Sequence, residues 1–241
     1  MPDSAKWTTW REGNFSLLLL LIVLVVMLMI VPLFEHYFFS HFSMNVALIV
    51  IMILGVAGSR KKRSLFTVGL LTAALIVGMN IATIFVDSST LFVFSCVLES
   101  AFFTAMAIYL LMHVVRRHVA SFQSIFGAIC VYLLLGLAWA MLYWSLERVD
   151  SESLLIENRI VMELANKDFT VTAFSQIVYF SFVTMTSLGY GDITPETPVA
   201  QTLAWMQSVT GQFYLAILVA RLVAVLPRQE LGGNAAAPAE S

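Results

Sequence analysis

Charged residues are scarce in this chain, and their scarcity excludes the class of soluble globular proteins. Of the 241 residues, 12% are charged and 60% are hydrophobic, whereas about a quarter of the residues in a typical soluble domain are charged. Cysteine is also rare. The two cysteines, Cys96 and Cys130, fall in long apolar stretches, where a thiol usually packs against its neighbours. Composition therefore predicts a membrane protein and argues against a disulfide framework or a thiol-based metal site.

Six apolar stretches are long enough to cross a bilayer core of about 30 Å. They are residues 15–34, 43–58, 64–86, 90–115, 122–146 and 198–226. A seventh apolar stretch, residues 171–185, is too short to cross, and it is typical of a re-entrant helix surrounded by protein. We therefore predict an all-α membrane protein with six transmembrane helices and a re-entrant helix between the fifth and the sixth.

The basic residues are distributed unevenly between the two sides of these spans. Ten of the 13 lie on one side: Lys6, Arg11, Arg60, Lys61, Lys62, Arg63, Arg116, Arg117, Arg221 and Arg228. The other three, Arg148, Arg159 and Lys167, precede the re-entrant stretch. Because basic residues concentrate on the cytoplasmic side, we predict a multi-pass protein of the cell (inner) membrane, embedded in the lipid bilayer, with both termini in the cytoplasm.

The loop before the re-entrant stretch, residues 147–168, is acidic. Its acidic residues are Glu147, Asp150, Glu152, Glu157, Glu163 and Asp168, and Asp192 and Glu196 follow further along the chain. Such a surface attracts cations in a salt-dependent way; the alternative is a loop that is merely solvated. Residues 153–164 also show a weak amphipathic pattern that predicts a short helix.

A short segment between the last two spans has the composition of a cation site built from backbone oxygens. Residues 184–192 read T-M-T-S-L-G-Y-G-D. Gly189 and Gly191 lack a Cβ, so they can adopt backbone angles closed to other residues and turn successive carbonyls toward one axis. Ser187 adds a hydroxyl below these carbonyls. The segment can therefore offer several oxygen ligands to one dehydrated cation.

This nonamer resembles the signature of potassium channels, in which four T-V-G-Y-G segments replace the hydration shell of K+. The resemblance implies an ion-binding selectivity filter formed by Ser187, Leu188, Gly189, Tyr190 and Gly191, with Asp192 at the outer mouth. It further implies supporting roles for Thr184, Thr186, Tyr179 and Phe180, with the Tyr179 hydroxyl near Asp192. Packing against neighbouring helices is the alternative for the two aromatic residues. Serine and leucine replace the family's threonine and valine, which leaves the degree of selectivity open.

The resemblance also implies roles within the sixth span. Gly211 lies twenty residues beyond Gly191, which is the spacing of the family's hinge glycine; close helix packing is the alternative. Four residues at helical spacing would line the cavity below the filter: Ser208, Gln212, Leu215 and Val219. The chain carries one filter segment, so an axial site made of four strands requires a homotetramer.

The chain divides into two modules and a tail. Residues 1–118 are predicted to form a four-helix transmembrane module, residues 119–227 resemble the potassium-channel pore domain, and residues 228–241 are predicted to be a short disordered cytoplasmic tail. The fourth span, residues 90–115, lacks arginine and lysine, which voltage-gated relatives carry at every third position. Its one acid, Glu99, is either a proton-sensitive gating element or a structural group, with Asn80 as a possible neighbour.

Together, these expectations predict a voltage-insensitive potassium channel that conducts K+ passively, without a cofactor and without a nucleic-acid partner. A weakly selective monovalent cation channel is the nearest alternative. A potassium transporter subunit is less favoured, because such subunits carry four degenerate filter segments in one chain. An enzyme is not expected, since every histidine lies outside the proposed pore domain. The gating stimulus and the conductance are not predicted.

Overall fold

The computed structural model describes residues 17–29, 63–86, 88–115, 122–156, 159–160 and 170–225 of the chain. The predicted second span, residues 43–58, and the predicted tail, residues 228–241, lie outside these ranges, as do Arg116 and Arg117. The structure therefore bears on both predicted modules, on each of them in part.

Helices make up most of the described chain. They are α1 (Leu17–Met29), α2 (Arg63–Phe85), α3 (Ser89–Val115), α4 (Phe122–Val149), α5 (Thr170–Met185) and α6 (Pro198–Val225). Three stretches within α3, α4 and α6 are long and apolar enough to cross a membrane: Ser89–Val115, Ser124–Val149 and Pro198–Arg221. With 16 residues, α5 is about 24 Å long, which is shorter than a bilayer core. These helices indicate a membrane protein.

Local capping residues explain where two of these helices begin. Before α3, the Ser88 hydroxyl accepts a hydrogen bond from the backbone N–H of Leu91 at 3.5 Å. Before α6, the Thr197 hydroxyl accepts one from the N–H of Ala200 at 3.3 Å, and Pro198 occupies the first helical position. Serine and threonine satisfy otherwise unpaired N–H groups at helix starts, and proline needs no N–H partner there. The start of α6 is therefore encoded in the local sequence.

The centre of the packing is α4, which contacts α3, α5 and α6. Small residues let the backbones approach closely at these contacts. A Cβ added to Gly127 of α4 would lie 2.7 Å from Val114 Cγ2 of α3, and one added to Gly136 would overlap the Phe182 ring of α5. The fully buried Tyr143 and Phe103 are among the largest side chains of the resulting core.

A three-stranded antiparallel sheet, which the sequence did not predict, joins the loop before α5 to the chain after it. The strands β1 (Leu154–Ile156), β2 (Arg159–Ile160) and β3 (Ile193–Pro195) lie in the order β2-β1-β3. In register, Leu155 pairs with Thr194 and Ile156 with Ile193. The described residues 153–156 and 159–160 therefore do not form the short helix predicted over residues 153–164, and the all-α prediction omits this sheet. The partner of β1 lies far along the chain, so the local pattern contained no sign of the pairing.

Candidate functional site

The carboxyl end of α5 is closed by a hydrogen-bonded cap that includes Ser187. The N–H of Ser187 donates to the Thr184 carbonyl at 3.0 Å, and the N–H of Leu188 donates to the Val183 carbonyl at 2.9 Å. These two bonds form a Schellman motif, whose first residue beyond the helix takes a left-handed conformation and is usually glycine. Here it is Ser187, with φ of 57°. A left-handed backbone costs a residue with a Cβ about 1–2 kcal/mol.

Left-handed conformations recur at every second residue of the segment from Ser187 to Gly191. The φ angles are 57° at Ser187, 57° at Gly189 and 80° at Gly191, and the intervening Leu188 and Tyr190 have negative φ. Where residues of positive and negative φ alternate, successive peptide groups can face the same side of the chain. All residues from Thr186 to Asp192 are exposed on the protomer. The segment is therefore uncovered in the protomer, where its backbone can meet a ligand.

At its Ser187 end, called the inner end below, the segment is bonded to side chains of α6. The Ser187 Oγ accepts a hydrogen bond from Gln212 Nε2 at 2.9 Å. It also lies 2.9 Å from Ser208 Oγ, and either hydroxyl can donate. Ser208 and Gln212 are four residues apart, so they share one face of the helix. Two residues predicted to line a cavity are thus in direct contact with the first residue of the segment.

Gly211 lies between these two contacts and brings α6 against the end of α5. A Cβ at this position would overlap the Met185 carbonyl oxygen and lie 2.9 Å from Met185 Cγ. Close helix packing, one of the two interpretations of Gly211 from the sequence, is what this contact supports. Leu215 and Val219, the other predicted cavity residues, are 38% and 57% exposed on the same helix.

A second contact between α5 and α6 is buried and polar, and sequence reasoning missed it. Gln207, which is fully buried, donates through Nε2 to the Ser181 carbonyl at 2.9 Å and to Ser181 Oγ at 2.7 Å. Ser181 Oγ in turn donates to the Gly136 carbonyl of α4 at 2.7 Å. The sequence did contain one sign of this contact, a glutamine within an apolar helix, because a buried amide requires hydrogen-bond partners.

At the other end of the segment, called the outer end below, Asp192 is bonded to a tyrosine of α5. The Tyr179 hydroxyl donates to Asp192 Oδ2 at 2.6 Å, which is the contact expected from the sequence. This hydrogen bond raises the pKa of Tyr179 to about 12. Asp192 Oδ1 also accepts from the N–H of Ile193 at 3.1 Å. The side chain of Asp192 is therefore held between α5 and the start of β3.

The remaining predicted supports of the filter lie on α5 or just beyond it. Phe180 is buried and meets Tyr143 of α4 edge-on, with 5.0 Å between ring centroids, so it packs against a neighbouring helix, which is the alternative interpretation from the sequence. The Thr186 hydroxyl donates to the Phe182 carbonyl at 2.8 Å. Thr184 is half-buried, and its carbonyl accepts the cap bond from Ser187 described above.

Glu147 is a functional candidate that the sequence placed in the acidic loop of residues 147–168. In the structure it belongs to α4 and is 1% exposed, so it adds no charge to an acidic outer surface. Its Oε1 accepts a hydrogen bond from the N–H of Leu154 at 2.5 Å, at the first residue of β1. Because β1 pairs with β3, Glu147 connects α4 to the strand that follows Asp192.

Glu99 lies in the first module, away from these contacts. It is 3% exposed, and its Oε1 accepts a hydrogen bond from Asn80 Nδ2 at 2.6 Å. The bond joins α3 to α2 and gives a buried carboxylate a polar partner, as buried polar groups require. Among the two interpretations of Glu99, this geometry supports a structural group.

The segment from Ser187 to Asp192 also lies within the part of the chain that is similar to a known family. Residues 119–228, slightly less than half of the chain, match a family model described as an ion channel. The match supports an ion channel family for this chain. No curated protein and no solved structure matches the chain.

Proposed function

We propose that the chain is one subunit of a potassium-selective channel that conducts K+ passively across the membrane. The observation that carries the proposal is the alternation of positive φ angles at Ser187, Gly189 and Gly191 in an exposed segment. Stacked carbonyl oxygens from four such segments would replace the water around a dehydrated K+ ion. The carboxyl end of α5 carries partial negative charge, which would favour a cation below the segment.

A homotetramer is proposed because the segment and α6 are both uncovered in the protomer. Only 17% of the most apolar 18-residue window of α6 is buried, compared with 56% in α4. Its exposed apolar side chains include Trp205, Met206, Val209, Phe213, Ile217 and Val223. Four copies around one axis would cover part of this surface and bring the four segments together, and lipid would cover the rest.

The proposed channel is voltage-insensitive. Helix α3 contains no arginine or lysine along its 27 residues, so it carries no positive charge to move through the membrane field. The proposed permeation needs no cofactor, because K+ moves down its electrochemical gradient. A location in the inner membrane with cytoplasmic termini, and a bending role for Gly211, also remain parts of the proposal.

Reconstituted full-length protein tests this function directly. Proteoliposomes with opposed K+ and Na+ gradients should show a reversal potential close to the K+ equilibrium potential. With equal K+ on both sides, the conductance should be the same at positive and negative voltages. Gly189→Ala is the control variant, because a Cβ at φ of 57° strains the segment, and it should conduct far less. A reversal potential that follows Na+ as closely as K+ would favour the weakly selective channel, and a stable monomer in native mass measurements would contradict the tetramer.

A further inference from the structure

We infer that Gln212 is a positioning residue for the innermost ion site, and that its amide, together with the Ser208 hydroxyl, determines how well this site discriminates between K+ and Na+. The inference rests on the proposed channel function. It assigns to two side chains of α6 a part in selectivity, beyond lining the cavity.

The first step concerns the Ser187 hydroxyl. A hydroxyl has one hydrogen to donate and two lone pairs that accept. Gln212 Nε2 donates to one lone pair at 2.9 Å. If Ser187 donates to Ser208 across their 2.9 Å contact, one lone pair is left for an ion; if Ser208 donates, none is left. The hydroxyl is thus a limited ion ligand, and the Ser187 carbonyl becomes the more important oxygen at this site.

The second step concerns what orients that carbonyl. Ser187 has a Cβ and a φ of 57°, a conformation that persists in residues other than glycine only when the surroundings hold it. The cap bond to Thr184 holds the backbone, and Ser208 and Gln212 hold the side chain. Gly189 and Gly191 need no such support, because glycine adopts positive φ without steric cost. Substitutions on α6 should therefore affect the inner end of the segment more than the outer end.

The third step concerns the loss of this support. Without the amide of Gln212, the side chain of Ser187 loses one of its two partners on α6. Its backbone is then freer to leave positive φ, and its carbonyl to turn away from the axis proposed for the segment. An ion site with one displaced ring of oxygens fits K+ less well, so its preference for K+ over Na+ decreases. The segment itself and the packing of α5 on α6 through Gly211 remain in place.

The test compares permeability ratios of full-length variants in proteoliposomes. Gln212→Met keeps the length of the side chain and removes the amide; it should lower the K+/Na+ permeability ratio about tenfold, the equivalent of one hydrogen bond. Ser208→Ala should lower it about threefold. Thr210→Val is the matched control: its hydroxyl donates to the Met206 carbonyl within α6 at 2.8 Å, so the ratio should stay at the wild-type value.

The possible outcomes separate this inference from the proposed function. Unchanged ratios in both Gln212→Met and Ser208→Ala overturn it, as does a shift in Thr210→Val as large as that in Gln212→Met. If Gln212→Met does not assemble, judged by native mass, Ser208→Ala decides alone by the same criterion. A wild-type protein that conducts without selectivity overturns the proposed function and the inference with it, whereas a selective wild type with unchanged variants overturns the inference only.

Discussion

The inner and outer ends of the segment from Ser187 to Asp192 are held by different parts of the molecule. The inner end is bonded to Ser208 and Gln212 of α6, a helix whose apolar surface is largely uncovered in the protomer. The outer end is bonded to Tyr179 of α5 and continues into β3, which β1 and Glu147 connect to the buried helix α4. A movement of α6 would therefore reach the inner end first, while the outer end is anchored to the core.

Among substitutions that test this difference between the two ends, the largest effect is expected at Gly211, where α6 meets the end of α5. In Gly211→Ala, the new Cβ would overlap the Met185 carbonyl oxygen. Overpacking of this kind costs about 1–3 kcal/mol of stability. The displacement of α6 from the end of α5 should abolish K+ flux in proteoliposomes. Thermal unfolding of the detergent-solubilised protein, followed by size-exclusion chromatography, measures the loss of stability.

Gly78→Ala is the matched control for this substitution. Gly78 lies in α2, and a Cβ there meets nothing within 4 Å, so the variant should be as stable as the wild type or gain up to about 1 kcal/mol from helix propensity. If Gly211→Ala conducts and unfolds like Gly78→Ala, close packing at the inner end is wrong.

A smaller effect is expected at Glu147, which anchors the outer end. Glu147→Ala leaves the buried N–H of Leu154 without its acceptor, a loss of about 2 kcal/mol, whereas Glu147→Gln retains an oxygen at Oε1 and should lose less. Hydrogen exchange of β1 and β3 measures the effect, and it should accelerate about tenfold or more in Glu147→Ala. Glu152→Ala, at an exposed acid between α4 and β1, should exchange like the wild type. Equal exchange in Glu147→Ala and Glu152→Ala would contradict the anchoring role.

The smallest effect is expected at Tyr179, because one exposed hydrogen bond is removed and Asp192 keeps its bond to the N–H of Ile193. Tyr179→Phe should shorten the lifetime of K+ current about two- to threefold, as measured in planar bilayers. Tyr109→Phe, which removes a hydroxyl from α3 in the first module, serves as the control. Equal lifetimes in the two variants would show that the contact with Asp192 does not support the segment.

The pH dependence of this last effect follows from the pKa of Tyr179. The pKa is raised from 10.0 to about 12, so the contribution of the hydroxyl is fully present below pH 10 and is lost as pH rises through about 12. The difference between wild type and Tyr179→Phe should therefore be constant from about pH 6 to about pH 9. A difference that changed with pH in this window would indicate another titrating group.

Much of the helical framework followed from local patterns. The apolar stretches predicted at residues 90–115, 122–146, 171–185 and 198–226 correspond within about three residues to α3, α4, α5 and α6. The length of an apolar stretch and the capping residues before α6 are local properties, so they can be recognised without knowing which element packs against the helix. The contacts of Tyr179 with Asp192 and of Asn80 with Glu99 were also expected, the first from the family resemblance and the second from similar depth in adjacent spans.

Contacts that depend on the rotation of one element against another were missed. Gln207 lies 26 residues from Ser181, and Gln212 lies 25 residues from Ser187; nothing in the local pattern indicates which face of α6 meets α5. The sheet was missed for the same reason, since β1 and β3 lie on either side of α5 in the chain. Glu147 was counted in the acidic loop because its acceptor role depends on the path of β1.

By itself, the sequence determined which stretches are apolar enough to form membrane helices and where glycine permits positive φ, because both depend on residue type and neighbours along the chain. Only the tertiary structure decided that Ser187 takes a left-handed conformation, that α6 holds it through Ser208 and Gln212, and that Glu147 is buried against β1. These features arise from packing, which sets the distance and orientation of side chains that are remote in the chain.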